Sequence, residues 1–108
     1  MTKRRFDDEL IFLRGRILIM GGICEEMIQD AVKILVERDE SFADAVARNE
    51  ERVNDFHIEI DDRCLKMIAL HQPTAGDLRL ITAAMKINSD LERIGDQAVN
   101  IAETSGYL

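Results

Sequence analysis

Apolar residues recur along this chain with the four-three spacing of packed helices. The first run passes through Phe6, Leu10, Leu13, Ile17, Met20, Cys24, Met27, Ala31 and Ile34. The second, with one irregularity near Cys64, contains Val46, Val53, Phe56, Ile60, Cys64 and Met67. The third contains Leu80, Ala84, Ile87, Leu91, Ile94, Ala98 and Ile101. The pattern predicts three long helices, and no stretch shows the alternation of a strand.

Two breaks separate these runs. The polar stretch ERDES lies between the first and second, and the only proline lies between the second and third. Pro73 disfavours helical geometry at Gln72. Thr74 is a favourable N-cap residue, and Asp77 stands at the capping-box position three residues later. The third helix is expected to end near Gly106, because glycine commonly follows a helix.

Three helices of about 30 residues are each about 45 Å long, and short turns force neighbours to run antiparallel. The sequence therefore predicts an all-α, up-down-up antiparallel three-helix bundle, with residues 1–108 as a single domain. Further apolar residues widen the buried stripes or supply an oligomer face: Ile11, Leu18, Ile23, Leu35, Leu65, Leu78 and Met85. Gly21 and Gly22 each cost the first helix about 1 kcal/mol relative to alanine, which indicates a close helix contact or a bend.

Composition and charge narrow the possible partners. Apolar residues make up 46% of the chain and charged residues 32%, which is typical of a folded domain. The formal net charge of -7 argues against nucleic acid or an anionic membrane as the main partner. The start, MTKRRFDDEL, lacks the apolar stretch of a signal peptide or membrane span. Cys24 and Cys64 are isolated, as expected for buried inert thiols in a cytoplasmic protein.

Two rows of oxygen-rich side chains lie outside the apolar runs. On the third helix the row is Glu92, Asp96, Asn100 and Glu103, expected on the outer face. On the second helix it is Glu50, Asn54, His57 and Asp61. Antiparallel pairing about Pro73 sets Glu50 level with Asp96. The same pairing sets two further pairs level: Asn54 with Glu92, and His57 with Asn88.

These rows have two interpretations. Like charges four residues apart destabilise a helix by about 0.2–0.5 kcal/mol, and a solvated face screened by Arg52 or Arg93 would tolerate that cost. A bound cation would instead turn the repulsion into attraction. Carboxylates with an imidazole suit iron, manganese, nickel or zinc. From the residues alone, both interpretations remain open.

Three segments carry a resemblance to a known family: VNDFHIEIDDRCLKMIA, HQPTAGDLRLI and DLERIGDQAVNIAE. Through them the chain resembles the PhoU phosphate-signalling regulators over nearly its whole length. Family members are all-helical, usually with two three-helix repeats, and bind clusters of iron or other transition metals through exterior acid-x-x-x-Asp motifs. Glu92 and Asp96 fit that motif fully, whereas His57 precedes Asp61 where the family usually has an acid. The resemblance thus implies four metal ligands, with iron as the first candidate and nickel or zinc as others.

The same resemblance implies a regulatory function rather than an enzymatic one. A regulator of this kind would hold down phosphate uptake and phosphate-starvation signalling by contacting the ATPase subunit of the phosphate ABC transporter and the phosphate sensor histidine kinase. It would be cytoplasmic, and peripheral at the inner membrane through these partners. Consistent with this, the sequence shows no Ser-His-Asp set, glycine-rich phosphate loop or Cys-His nucleophile pattern.

The chain looks like one family repeat, which predicts a homo-oligomer, most simply a two-fold dimer that rebuilds the double bundle. A fragment of a longer protein is the alternative. Two other functional classes remain open at this point. One is a carboxylate-bridged metal enzyme, although such enzymes use inward-facing Glu-x-x-His motifs. The other is a plain helical dimerisation module whose acidic rows are only solvated.

Overall fold

The computed structural model describes residues 3–105, and these form a rod of 55 × 17 × 16 Å. Helix α1 spans Lys3–Glu37, α2 spans Ala43–His71 and α3 spans Ala75–Ser105, with a 3-10 turn at Glu40–Phe42. Each helix packs against both of the others. The predicted all-α three-helix bundle is confirmed. Within residues 3–105, none of the helices has the length and apolar content that a membrane crossing requires.

Both predicted breaks are present. After α1, the side chain of Asp39 accepts a hydrogen bond from the Ser41 N–H at 3.0 Å, which fixes the 3-10 turn. At the end of α2, Gln72 adopts a left-handed conformation with φ 45°, as expected for a residue that Pro73 keeps out of the helix. Residue Thr74 directly precedes α3. The helix end predicted at Gly106 lies outside the described residues.

The predicted seams of α1 and α2 form the core. Their fully or almost fully buried members are Phe6, Leu13, Met20, Cys24, Met27, Ala31, Ile34, Val46, Val53, Ile60, Cys64 and Met67. Both cysteines are free and buried, as predicted. Burial raises the pKa of both thiols, that of Cys64 to about 11 with a smaller contribution from the charge of Asp61. The two thiols are therefore packing residues.

The seam predicted for α3 was partly wrong: Ala84 and Ala98 are buried as predicted, and Leu91 and Ile94 pack half-buried against the core, but its other three members do not. The buried residues of α3 are Ile81, Ala84, Asn88, Gly95 and Ala98. Three large residues of the predicted seam are exposed instead: Leu80, Ile87 and Ile101. Asn88 is tolerated in the core because its Nδ2 donates to the His57 carbonyl at 3.0 Å. Gly95 lies at a tight contact, since a Cβ there would stand 3.4 Å from Val53 Cγ1.

The close helix contact expected at Gly21 and Gly22 is not made within residues 3–105. A Cβ on either glycine would have no heavy atom within 4 Å. Both residues lie inside α1, which runs without interruption from Lys3 to Glu37. Packing within this chain therefore does not explain why glycine stands at these two helical positions.

The flank between α1 and α2 is closed by its own side chains. Glu59 accepts from Arg16 Nη2 at 2.6 Å and from Arg63 Nε at 3.1 Å. The Arg16 guanidinium also lies 4.4 Å from the ring centroid of Phe56, and that of Arg63 lies 4.2 Å from the ring of Phe12. The hydrogen bond from Arg16, supported by Arg63, lowers the pKa of Glu59. The charged side chains on this flank therefore pair with one another and with the neighbouring aromatic rings.

Two glycine substitutions with opposite expected effects test this packing. Gly15 is helical and open, so Gly15→Ala should stabilise the fold by about 1 kcal/mol and raise the melting temperature by about 4 °C. Gly95→Leu places extra atoms against Val53 and Met27, and overpacking of this kind costs about 1–3 kcal/mol. Thermal denaturation followed by circular dichroism measures both. Equal stability of Gly95→Leu and the wild type would contradict the described α2–α3 contact.

Candidate functional site

The oxygen-rich rows lie on the flank between α2 and α3. On α2, the side chains of Glu50, His57 and Asp61 are half-buried. On α3, Glu92 is half-buried and Asp96 is exposed. Glu92 is therefore less exposed than the outer position expected from the sequence, whereas Asp96 is exposed as expected. We call Glu50, Glu92, Asp96 and Glu103 the acidic face.

The electrostatics of Glu50 show that this face is crowded with negative charge. Burial raises the pKa of the Glu50 carboxyl above its ordinary value, and the charge of Asp96 raises it further. Glu103, Glu51 and Glu92 act in the same direction. Asp96 makes the largest contribution among these charges, which agrees with the prediction that Glu50 and Asp96 lie at the same level of the bundle. Every contribution has the same sign, so this carboxylate lies in an uncompensated negative potential.

Arg52 and Arg93, the two cations that could screen these carboxylates, do not pair with the acidic face within residues 3–105. Arg52 Nη1 donates to Asn49 Oδ1 at 3.3 Å, on the core side of α2. Arg93 is exposed on α3. Among the side chains of the described range, neither arginine forms an ion pair with a member of the acidic face. The repulsion is therefore left to solvent or to a bound partner.

The four predicted ligands do not converge on one point. Glu92 and Asp96 lie one helical turn apart beside Glu50. Asp61 lies eleven residues beyond Glu50, about 16 Å along α2. Its charge acts on the buried Cys64 thiol instead.

His57 lies between Glu50 and Asp61 along α2, and it is opposite Asn88 as predicted. Its carbonyl accepts from Asn88, while its Nδ1 atom is buried without a hydrogen-bond partner among the described residues. In residues 3–105, no three His, Cys, Asp or Glu side chains are already grouped for metal ligation.

The donor set nevertheless suits a cation in its chemistry. Glu50, Glu92 and Asp96 offer carboxylate oxygens with no competing cation, and such oxygens bind hard or intermediate divalent ions. None of the three side chains is fully buried, so each can change rotamer at modest cost. The residues fit a metal by charge and ligand type, and ligation requires these side chains to turn towards one ion.

Glu50 is the residue of the α2 row on which the charge of Asp96 acts. The acid-x-x-x-Asp motif does not include it, because that motif describes spacing within one helix. The signal for Glu50 in the sequence is the antiparallel pairing across the Pro73 turn, which sets it level with Asp96. His57, Asp61, Glu92 and Asp96 stay the predicted metal ligands.

The acidic face ends in a cavity of about 280 Å³ near the end of α3. Its polar lining consists of Glu40, Glu50 and Glu103, and its apolar lining includes Ile34 and Val46. An apolar floor with a carboxylate rim matches the shape of a lysine or arginine side chain, which has an apolar stem and a charged head.

Comparison with known proteins gives consistent matches. The family model of the PhoU domain matches residues 17–105. The phosphate-specific transport system accessory protein PhoU of Edwardsiella tarda is 41% identical over 104 residues, covering 96% of this chain and 43% of that protein. The homolog of Pseudomonas putida is 42% identical over 105 residues, covering 97% of this chain and 41% of that protein.

A solved structure matches equally well. The crystal structure of PhoU from Pseudomonas aeruginosa has a TM-score of 0.90 at 39% identity, covering 93% of this chain and 48% of that chain. The all-α three-helix architecture described above is therefore that of a known fold. The chain spans less than half the length of these relatives.

The raised pKa of Glu50 predicts a pH-dependent effect on stability. A carboxyl whose pKa is higher in the folded than in the unfolded state loses stabilising free energy as the pH rises through the folded-state pKa. We expect Glu50→Gln to be more stable than the wild type at neutral pH, by about 0.2–0.5 kcal/mol for each like-charge pair removed. The difference should shrink as the pH falls through the ordinary carboxyl range and vanish at about pH 3, where carboxyls are mostly protonated in both states.

Urea denaturation at neutral and acidic pH measures this difference. Glu26→Gln is the matched control, because Glu26 is exposed on α1 and away from the acidic face. A stability gain of equal size in both variants would show that the net charge of the chain, and not the position of Glu50, determines the effect.

Proposed function

The chain belongs to the PhoU family, and from this membership we propose that it is a regulatory accessory protein of phosphate transport. The supporting observation is similarity over nearly the entire chain to proteins named as accessory proteins of the phosphate-specific transport system. In the proposed role it holds down phosphate uptake and phosphate-starvation signalling when phosphate is ample. Because the chain spans less than half of these relatives, this role is proposed for the unit as it stands.

The proposed partners are the ATPase subunit of the phosphate ABC transporter and the phosphate sensor histidine kinase. The protein would act in the cytoplasm and reach the inner membrane through them. Support comes from charge: the chain carries a net charge of -7, and a carboxylate-rimmed cavity stands beside Glu50 and Glu103. Such a surface favours docking on a basic face of a partner, with electrostatic attraction that raises the association rate.

We propose that the acidic face binds a transition metal ion, with iron, nickel or zinc as candidates. Glu92 and Asp96 would be ligands as the sequence motif indicates, and Glu50 would join them from α2. His57 and Asp61 would extend the site along α2 if more than one ion is bound. A bound cation would supply the positive charge that neutralises the repulsion around Glu50. Self-association as a two-fold homodimer belongs to the same proposal.

The alternative of a carboxylate-bridged metal enzyme gains no support from the bundle interior. Enzymes of that class place several inward-facing carboxylates and histidines in the core. The buried polar residues of the described range are Asp30, Asn49 and Asn88, and the His71 side chain is also buried, paired with Glu9 at 2.8 Å. One buried carboxylate does not supply such a site, and the named relatives are accessory proteins.

Metal binding predicts opposite effects of one double substitution. With a hundredfold excess of metal over its Kd, the folded state gains about 2.7 kcal/mol, so the melting temperature should rise on adding iron, nickel or zinc. Glu92→Gln with Asp96→Asn should abolish that gain. Without metal, the same double variant should be neutral or slightly more stable, because a like-charge pair is removed. Differential scanning fluorimetry with and without each metal measures all four states.

Glu26→Gln with Asp55→Asn is the control for this experiment. Both residues are acidic and exposed, and neither is among the charges that raise the pKa of Glu50. The control variant should keep the metal-induced gain. A melting temperature that ignores every added metal in the wild type would contradict the metal site.

Docking through charge predicts a salt dependence. Pull-down of the transporter ATPase subunit and of the sensor kinase should weaken between low and moderate ionic strength, because the Debye length shortens from about 30 Å at 0.01 M to about 8 Å at 0.15 M. Glu40→Lys with Glu103→Lys, at the rim of the cavity, should reduce capture further. Failure of both candidates to bind at any ionic strength would contradict the proposed partners.

A further inference from the structure

The cavity at the end of the acidic face owes its volume to small side chains. Ala43 and Ala47 stand one helical turn apart on α2, and both line the cavity together with Ala102 of α3. Two core residues form its floor, since Ile34 is exposed to 3% and Val46 to 2%. The alanines leave open the space that larger side chains would occupy. The result is a cavity of about 280 Å³ between the 3-10 turn, α2 and α3.

The rim of this cavity carries negative charge from three elements. Glu40 comes from the 3-10 turn, Glu50 from α2 and Glu103 from α3. Burial raises the pKa of Glu50, and the charges of Asp96 and Glu103 raise it further, so the rim carboxylates of α2 and α3 repel each other. Within residues 3–105, none of the three rim carboxylates forms an ion pair.

Two cations near this end of the bundle contact other groups. Lys33 Nζ lies 4.9 Å from the ring centroid of Phe42, and Arg52 Nη1 donates to Asn49 Oδ1 at 3.3 Å. The negative rim is therefore not neutralised by either of them. An apolar interior below an uncompensated negative rim favours a group with an apolar stem and a positively charged head.

We propose that this cavity binds one arginine side chain from the surface of a basic partner protein. The inference rests on the docking included in the proposed function, and it names the part of the partner that this site binds. The aliphatic stem of the arginine covers the apolar floor, and its guanidinium stands among the rim carboxylates. The volume agrees with a single side chain, because pockets for drug-sized ligands run from about 300 to about 1,000 Å³.

Arginine fits this rim better than lysine does. A guanidinium presents several N–H donors in a planar fork, so it can donate to carboxylates on more than one side, whereas an ammonium is a compact point charge. A guanidinium is also more weakly hydrated, which lowers the cost of entering a partly apolar cavity. The partner is a different, basic protein rather than a second copy, because chains with a net charge of -7 repel one another.

A capped polyalanine peptide with a single arginine is the probe, and the same peptide with citrulline is its control. Citrulline keeps the shape of arginine but has a neutral urea group in place of the guanidinium. In a nuclear magnetic resonance titration, the arginine peptide should shift the backbone amide signals of Ala43, Ala47 and Val99, which line the cavity. The citrulline peptide should bind at least about tenfold more weakly, because its hydrogen bonds to the rim lack the positive charge. A lysine peptide should bind with intermediate affinity.

Ala47→Leu fills the cavity without changing its charge. This variant should abolish binding of the arginine peptide, since the added side chain occupies the space of the arginine stem. Ala69→Leu is the matched control, because Ala69 is also an exposed alanine of α2 and lies outside the cavity lining. Circular dichroism confirms that both variants fold, and the control should bind as the wild type does.

Glu40→Gln with Glu103→Gln tests the rim and leaves Glu50 and the predicted metal ligands unchanged. The arginine peptide should bind this variant at least about tenfold more weakly. Glu26→Gln with Asp55→Asn changes the net charge equally at exposed positions, and it should keep the wild-type affinity at about 0.15 M ionic strength, where distant charges are screened. Equal weakening in both double variants would overturn a local site.

The outcomes separate this site from the regulatory role. Equal binding of the arginine, lysine and citrulline peptides, or arginine binding that ignores Ala47→Leu, would overturn the site. Self-association that is lost only in Ala47→Leu would assign the cavity to a second copy and overturn its assignment to a basic partner. Undiminished capture of the ATPase subunit or the sensor kinase by Ala47→Leu would overturn the docking role of the cavity and leave the regulatory role intact. Arginine binding that the cavity variants abolish supports the site even where neither protein is captured, a failure that would contradict the proposed function alone.

Discussion

A rod of three helices can bury only one stripe of each helix, and the rest of this molecule follows from that limit. The cross-section of 17 × 16 Å leaves room for a single layer of core side chains, with Met20, Met27 and Ile60 fully buried along the axis. A core-facing stripe covers little more than a quarter of a helix circumference, about 100°. All other apolar and charged residues must therefore lie on the three flanks between neighbouring helices or on the outward sides of the helices.

The close approach of α3 to α2 determines the character of the acidic flank. Gly95 takes a place in the core stripe where a Cβ would stand 3.4 Å from Val53 Cγ1, so the two helices lie close together at this level. Glu92 and Asp96 stand on either side of Gly95 in the sequence, and Glu50 is one turn from Val53. Close helix packing thus places three carboxylates on one flank and half-buries two of them, Glu50 and Glu92. The raised pKa of Glu50 is the electrostatic result.

The sequence predicted α1 and α2 well because each has one dominant apolar run, interrupted only at recognisable turns. It was only partly right for α3, where Ala84 and Ala98 are buried as predicted, because that helix has two competing stripes. The stripe of larger residues, Leu80 and Ile87, looks more like a core from hydrophobicity alone. The stripe that is buried contains Asn88 and Gly95, and its selection depends on a hydrogen bond and a backbone contact to α2. Neither interaction is visible in periodicity. Spacing within one helix likewise cannot show which side chains of two helices lie close together, so the approach of Glu50 to Asp96 had to come from the structure.

The three flanks differ in what remains unsatisfied. Between α1 and α2, Glu59 accepts hydrogen bonds from two arginines that also lie over aromatic rings, so its charge is compensated within the flank. Between α2 and α3, carboxylates repel one another, and their free energy falls when positive charge approaches. Between α1 and α3, apolar side chains remain in water, and their free energy falls when another apolar surface covers them. The two flanks lie on different sides of α3 and favour different contacts, positive charge beside α2 and apolar surface beside α1.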